Sequence, residues 1–487
     1  MKRHSSSRRV TRTLLVLSIT ILLLATALGC SSDTKRLAED GHAALDLTQL
    51  TDTNPDPDVF EVQLVASEGS AHYLPDADAD ADIWGYRDGA VPHSKAAVPG
   101  PVLDVRQGQR VIVHFRNELP EATTIHWHGI RVPNTADGTP SVQVEVSPGD
   151  TFDYEFVAGD AGTFWYHPHV HSDVQIERGL YGAVVVRGGP EIPVEADRVF
   201  VLDDVKLEAT GKLSTNTVPL DVMLGRQGNV VLVNGVRGGR ITSRGGARER
   251  WRFVNSANGR YFNLRILDHA LKVIGWDGGL LAEPYDATTL LIAPGERYEV
   301  LVDVPDATGS ELTLETVHYD RGHDVPDPGP VAIFKIAIES SVMHREALPD
   351  TWGTPIELPI PSDVRERAIK LSEQQTSDDE FPKFFINDAA FPDVPMLEAR
   401  VGDVEVWRVK NDSEMDHPFH LHGMFFRVLD VDGAAPAHDG WKDTVNVPQK
   451  KTLRFAVRYG GEGTWMYHCH ILEHAERGMM AELKLER

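Results

Sequence analysis

Residues 465–480 read Trp-Met-Tyr-His468-Cys469-His470-Ile-Leu-Glu-His474-Ala475-Glu476-Arg-Gly-Met479-Met. In an extended strand, residues i and i+2 point to one face and residue i+1 to the other. His468 and His470 therefore share a face, and Cys469 points away from both. The chain carries 2 cysteines, Cys30 and Cys469, so no disulfide framework holds it together, although one bridge between them is arithmetically allowed. A lone thiol needs protection from oxidation, by burial or by a metal. His474 and Met479 supply further metal-binding side chains just beyond that thiol.

Three more histidine clusters lie upstream: His126-Trp-His128-Gly, His167-Pro-His169 and His417-Pro-Phe-His420-Leu-His422. With the first segment they hold ten of the 21 histidines, a density that packing or solvation of single His pairs does not account for. Each His-x-His pair offers two imidazoles on one side of a strand, so His126, His128, His167, His169, His420, His422, His468 and His470 can converge on one polyhistidine site. Cys469, on the opposite face, can collect His417, His474 and a weak axial Met479. That is the His2Cys set of an electron-transfer copper, and thiolate with thioether and imidazole favours copper over zinc. Cys469 is continuous through the backbone with both neighbouring histidines, which makes a built-in electron path to the polyhistidine site. A site fed one electron at a time suits a multi-electron acceptor such as dioxygen.

Around these motifs the pattern is one of short strands. Val102–Phe115, Thr151–Val157, Gly182–Val186, Val230–Val233, Leu290–Val304, Val404–Val409 and Thr452–Val457 are rich in Val, Ile, Phe and Thr, and Gly, Pro, Asn and Asp separate them. No long amphipathic helix competes, so the segments read as antiparallel sandwiches or barrels. Val105-Arg106-Gln107-Gly108 with Asn117, and Ala399 to Asp403 with Asn411, each place a Gly turn before a strand that runs into a His cluster. Gly245-Gly246 with Trp251 to Asn255 echoes them in the middle of the chain, without histidines. The echo predicts three related domains with metal chemistry in the outer two, and the Pro-rich stretch Leu348 to Pro361 lies between the second and third. The acidic run Asp76 to Asp82 reads as a solvated loop rather than a calcium site.

With these motifs in this order, residues 55 to 487 resemble the multicopper oxidases of the three-domain, laccase-like kind. The resemblance implies an all-β chain of three cupredoxin-like Greek-key domains, placed at 54–190, 191–340 and 364–487, with 341–363 as linker. It implies four coppers and aligns His417, Cys469, His474 and Met479 with the type 1 ligands. His126 and His420 match the type 2 ligands, and His128, His167, His169, His422, His468 and His470 the type 3 ligands. His171 falls off the pattern and is expected at the surface or behind the ligands. Asp137 stands where bacterial members carry an acidic residue at the trinuclear site, although Asp137-Gly138 is also a turn signal in its own right. Where many bacterial members have Glu directly after the last His, this chain has Ala475, with Glu476 one position on.

The expected activity is one-electron oxidation of a small reducing substrate, with dioxygen reduced to water. An axial Met479 stabilises oxidised copper, which favours easily oxidised phenols and aromatic compounds. The rival is a metallo-oxidase acting on cuprous or ferrous ions, for which Glu414, Met415 and Asp416 beside His417 would be an approach; the alternative for that trio is a solvated loop. Against the rival, 9 Met in the whole chain leave no Met-rich insertion. Two-domain copper nitrite reductases do not fit the length and cysteine placement, and structural relatives that have lost copper do not fit a chain in which all the ligand positions are filled.

The 487 residues include 48 basic and 73 acidic ones, for a net charge of -25, which excludes nucleic acid as a natural partner. At the N-terminus, Lys2, Arg3, Arg8, Arg9 and Arg12 precede an uncharged run from Leu14 to Leu28 that is too short to span a bilayer. Residues 1–29 thus read as an export signal, ending in Ala27-Leu28-Gly29-Cys30, which resembles a bacterial lipobox, and Ser7-Arg8-Arg9 resembles a twin-arginine signal. Residues 30–53 are then expected to tether the protein to a bacterial membrane through a lipid on Cys30, at the periplasmic face or the cell surface.

Overall fold

The structure is a computed structural model that describes residues 45–487 apart from 324, 326, 343–344 and 376–378. The signal segment, Cys30 and the start of the tether lie outside the described residues. Among those residues, strands dominate and form six sheets that face each other in pairs three times along the chain. Val62 and Leu64 from one sheet pack with Leu103, Val105, Val184 and Val186 from its partner in the first core. Phe200, Trp251, Phe253 and Phe334 fill the second, and Trp407, Phe419, Phe455 and Tyr467 the third.

One winding is repeated in all three. Val59–Ala71 pairs antiparallel with Ala81–Asp88, the chain crosses to the facing sheet as Gly100–Arg106, and Arg110–Asn117 returns parallel to Val59–Ala71. Ala196–Val205, Val230–Val233, Gly239–Gly245 and Arg248–Asn255 do the same, as do Arg365–Gln374, Lys383–Ile386, Leu397–Arg400 and Val404–Asn411. The sheets are therefore not purely antiparallel as expected. Each holds one parallel pair, because the crossover between those strands runs through the opposite sheet.

The sequence echo has a structural basis. Gly108, Gly246 and Gly402 take positive φ of 88°, 76° and 92° at the turn between the crossing strand and the returning one. The Asn that ends each returning strand is fully buried and makes the same bracket. Asn117, Asn255 and Asn411 each donate through Nδ2 to two backbone carbonyls and accept through Oδ1 from the amide two residues on. The bracket folds back the loop that, in the outer domains, leads to His126 and His417.

Two strand expectations need correction. Val102–Phe115 is two strands in facing sheets, divided at Gln107 to Gln109, and Leu290–Val304 is likewise divided. There Pro294 has no N–H to donate and Gly295 turns the chain at φ 85°. The tether is corrected as well: from residue 45 onward it is part of the folded body. Leu45 and Leu50 are buried, Leu50 N donates to Val102 O at 3.0 Å, and Asn234 donates to Leu45 O. Apolar side chains at 45, 47 and 50 find a groove between the first two domains, which a free tether would leave wet. Within the segment Asp76 to Asp82, residues 76–80 form a largely exposed loop, and Ala81 and Asp82 already belong to the strand Ala81–Asp88.

Candidate metal centre

The histidine strands end at the seam between the first and third domains. His126–His128 pairs with Gly162–His167, bringing His126 opposite His167, and His417–Leu421 pairs with Gly463–Cys469, bringing His420 opposite His468. His169, His422 and His470 follow directly beyond those strands. Trp165 lies against the rings of His128, His167 and His470, with centroids 5.1, 4.2 and 5.4 Å away, and keeps water from that side.

The donor atoms gather in groups. His128, His167 and His470 bring one ligating atom each within 4.8 Å of one another, and so do His169, His422 and His468. His126 and His420 close a further group with His128. On the far face of the last strand, Cys469 Sγ lies 3.4 Å from His417 Nδ1 and 3.7 Å from His474 Nδ1, and the two nitrogens are 3.2 Å apart. Met479 is fully buried in the core that contains Cys469, and its backbone bonds Cys469 N and His474 O. His171, by contrast, is exposed and 3.8 Å from Glu121, at the surface.

Whether these residues fit copper can be asked of the atoms left without partners. Nε2 of His126, His167, His420 and His470, and Nδ1 of His128, are buried with no hydrogen-bond partner. Each such atom costs about 1–3 kcal/mol if left dry. Several convergent orphan nitrogens are a ligand set rather than a packing accident. Burial pushes His417 and His422 down to about 4 and His470 to about 3, so the imidazoles are neutral at neutral pH, the form that ligates metal. Burial likewise pushes the Cys469 thiol up, and Ile471 N–H donates to its sulfur at 3.4 Å. A metal is what would hold it as thiolate.

Surrounding residues set the rings. Ser413 Oγ is 2.7 Å from His417 Nε2, Phe384 stacks on His474 at 3.8 Å, and His474 Nε2 meets the Met223 carbonyl at 3.2 Å. That carbonyl belongs to the short helix Pro219–Leu224 of the middle domain, so both imidazoles beside Cys469 are fully covered. Asp137, fully buried, ends a 3-10 turn at Asn134–Ala136. Its Oδ2 is 3.1 Å from His422 Nδ1, its Oδ1 is 3.4 Å from His126 Nδ1, and its carbonyl is 2.8 Å from that same nitrogen. Asp137 is thus both a turn residue and a neighbour of two imidazoles. Glu476 accepts from Ser172 N and Oγ, both at 2.7 Å.

Sequence reasoning did not single out Ser413, Phe384, Met223, Thr444, Asp443 or Arg297. Asp443-Thr444 follows an aromatic-basic pair, Trp441-Lys442, with no metal-ligand spacing, and Arg297 sits in the domain without histidine clusters. No local signal marks them.

Family models described as multicopper oxidase match residues 82–191, 203–311 and 362–486. The multicopper oxidase mco of Staphylococcus epidermidis is 30% identical over 402 residues, 79% of this chain and 82% of that one. Among solved structures, a Campylobacter jejuni multicopper oxidase described as a metallo-oxidase superposes with a TM-score of 0.82 at 29% identity, covering 93% of this chain and 97% of that one. A laccase-like multi-copper oxidase from a lignin-degrading Ochrobactrum, with oxidase activity towards lignin model compounds, gives 0.77 at 27%, covering 91% and 100%. With the donor groups above, these likenesses establish that the chain belongs to the multicopper oxidases, copper-dependent oxidoreductases that use dioxygen as acceptor.

Proposed function

We propose that the enzyme is a laccase-like oxidase of phenolic and other aromatic reductants. In this reading His417, Cys469, His474 and Met479 hold the type 1 copper, His126 and His420 the type 2 copper, and the two imidazole triads the type 3 pair. When bound, the coppers supply one-electron acceptance from substrate and four-electron reduction of dioxygen to water. Cys469 ties the two centres through one peptide bond to His468 and one to His470, so electrons cross no gap between domains. Asp137 is read as the carboxylate that orients water and hands protons inward.

The observation that carries the substrate reading is the state of Glu414, Met415 and Asp416. Met415 and Asp416 are buried. The Asp416 carboxylate already accepts from Tyr319 Oη at 2.6 Å, Asn446 Nδ2 at 2.7 Å and Gln449 N at 2.8 Å. Only Glu414 is exposed, and it pairs with Lys450 at 2.6 Å. The trio is neither a solvated loop nor a set of free donors for an arriving metal ion. Steady-state kinetics with phenols, aromatic amines, and cuprous, ferrous and manganous ions test this. The reading expects the highest kcat/KM among phenols and aromatic amines, and a cuprous or ferrous value above all of them would overturn it.

The same reading places the protein outside the cytoplasm on a lipid at Cys30. Among the described residues no helix is long and apolar enough to cross a membrane. Cys30→Ala is expected to leave the membrane fraction for a soluble or unprocessed form, and unchanged fractionation would reject lipid attachment.

A further inference from the structure

Arg297, at the start of the strand Arg297–Asp303, belongs to the middle domain, which contributes none of the histidines, and it is fully buried. All five of its N–H groups are used. Nη1 and Nη2 each donate to the Asp443 carboxylate at 2.6 Å. Nε donates to Thr163 O at 3.1 Å, Nη2 also to Asp277 O at 3.0 Å and Nη1 to Gly295 O at 3.3 Å. Thr163 is in the first domain and Asp443 in the third, so one guanidinium ties all three together. A Cβ at Gly129 would fall 2.2 Å from Arg297 Nη2 and 2.8 Å from Asp443 Oδ2, which is why the first His cluster closes on glycine.

Beyond Asp443 the bonding has one direction. Asp443 Oδ1 accepts the Thr444 hydroxyl at 2.8 Å, which uses that hydroxyl's only proton. Thr444 Oγ1 lies 3.0 Å from His128 Nε2 and 3.0 Å from His420 Nδ1, and with its proton committed it can only accept from both. Asp443 O, 3.0 Å from the same His420 Nδ1, also accepts. His128 therefore carries its proton on Nε2 and His420 on Nδ1. The nitrogens left free, His128 Nδ1 and His420 Nε2, are two of the buried atoms without a partner.

We infer that Arg297, Asp443 and Thr444 form a positioning relay that fixes the tautomers of His128 and His420 and so aims their free nitrogens at the cluster copper. The middle domain thereby acts on a metal site to which it gives no ligand. The inference rests on the ligand reading proposed above. Groups of this kind around a metal typically set its affinity by about 10–100-fold.

Thr444→Val keeps shape and removes the hydroxyl. Copper affinity of the variant, measured by competition with a chelator and read with the type 2 electron paramagnetic signal and the blue absorption, is expected to fall about 10-fold or more at the cluster. The blue absorption should persist, and Thr444→Ser should restore the affinity. Arg297→Lys, which keeps the charge but loses the fork, should fall between. Wild-type cluster affinity in a folded Thr444→Val protein would overturn the inference. His128→Ala and His420→Ala separate the levels: if they too keep all copper, the ligand reading has failed, whereas loss in them but not in Thr444→Val rejects the relay alone.

Discussion

Replacing Asp137 with Asn separates a proton-handling carboxylate from a turn residue by magnitude. The amide keeps one oxygen to accept from His422 Nδ1, where Asp137 Oδ2 now sits at 3.1 Å. Its NH2 group then faces His126 Nδ1, 3.4 Å from the present Oδ1, a nitrogen already directed at the Asp137 carbonyl at 2.8 Å. Hydrogen bonds to charged groups contribute about 1.5–3 kcal/mol and neutral ones about 0.5–1.5, so the exchange costs about 1–2 kcal/mol. A purely structural role can therefore lower stability or copper affinity by about 5- to 30-fold, and no more. Loss of a positioned proton donor or acceptor slows a step by about 10²–10⁴. The assay is stopped-flow reoxidation. Fully loaded protein is reduced without air, mixed with dissolved dioxygen, and the return of the blue absorption is timed. Asp137→Asn is expected to keep its colour and its rate of reduction by substrate, because the Cys469 site lies on the other face of the strand, while reoxidation slows at least 100-fold. A reoxidation rate within about 30-fold of wild type, in a variant with full copper, would refute the reasoning and return Asp137 to the turn.

Cys469→Ser should abolish the blue colour and substrate oxidation together while the imidazole triads still bind metal; a blue Cys469→Ser protein would sink the assignment. Gly138→Ala would set a Cβ 1.9 Å from Ile125 O and 2.7 Å from His126 N, at φ 82°, where a side chain costs about 1–2 kcal/mol even without the clash. It should lower the melting temperature and the cluster copper but spare the blue site, and unchanged copper content would contradict it. In copper-free protein, His417 and His422 titrate near 4 in the fold against 6.5 when unfolded, so the unfolded chain takes up protons first as pH falls. Stability is then full above about 6.5 and is lost from there towards 4, by about 3 kcal/mol for each imidazole, and a flat melting temperature across that window would refute it.

The sequence made the histidine sites legible because their information is local: His-x-His fixes a shared face, and Cys469 between two such residues fixes the opposite one. The threefold winding was legible for a similar reason, since Gly108, Gly246 and Gly402 with Asn117, Asn255 and Asn411 are short-range signals of one turn and one bracket. What could not be read were contacts between residues far apart. Arg297 and Asp443 meet only after three domains have docked, and neither has a periodic neighbour to announce it. Leu45 and Leu50 read as tether because their groove is made by the first two domains together. Asp416 read as loop because its partners come from distant segments, Tyr319 from the loop after Glu311–Thr316 and Asn446 from the strand Thr444–Val447.

The meeting of His126 to His169 with His417 to His470 also bears on the order in which the protein can mature. The imidazole donors stand at opposite ends of the folded chain, and neither half has a complete imidazole triad. A polypeptide still emerging from the ribosome, or truncated before residue 470, cannot close the His128, His167, His470 group. Metal acquisition by the imidazole triads therefore reports that synthesis has passed residue 470 and that the outer domains have found each other. By mass action the metal then stabilises that docking, since it binds the docked state and not the separated one. Withdrawing it should loosen the seam between the outer domains before any single sandwich melts, leaving three intact cores with a protease-sensitive junction.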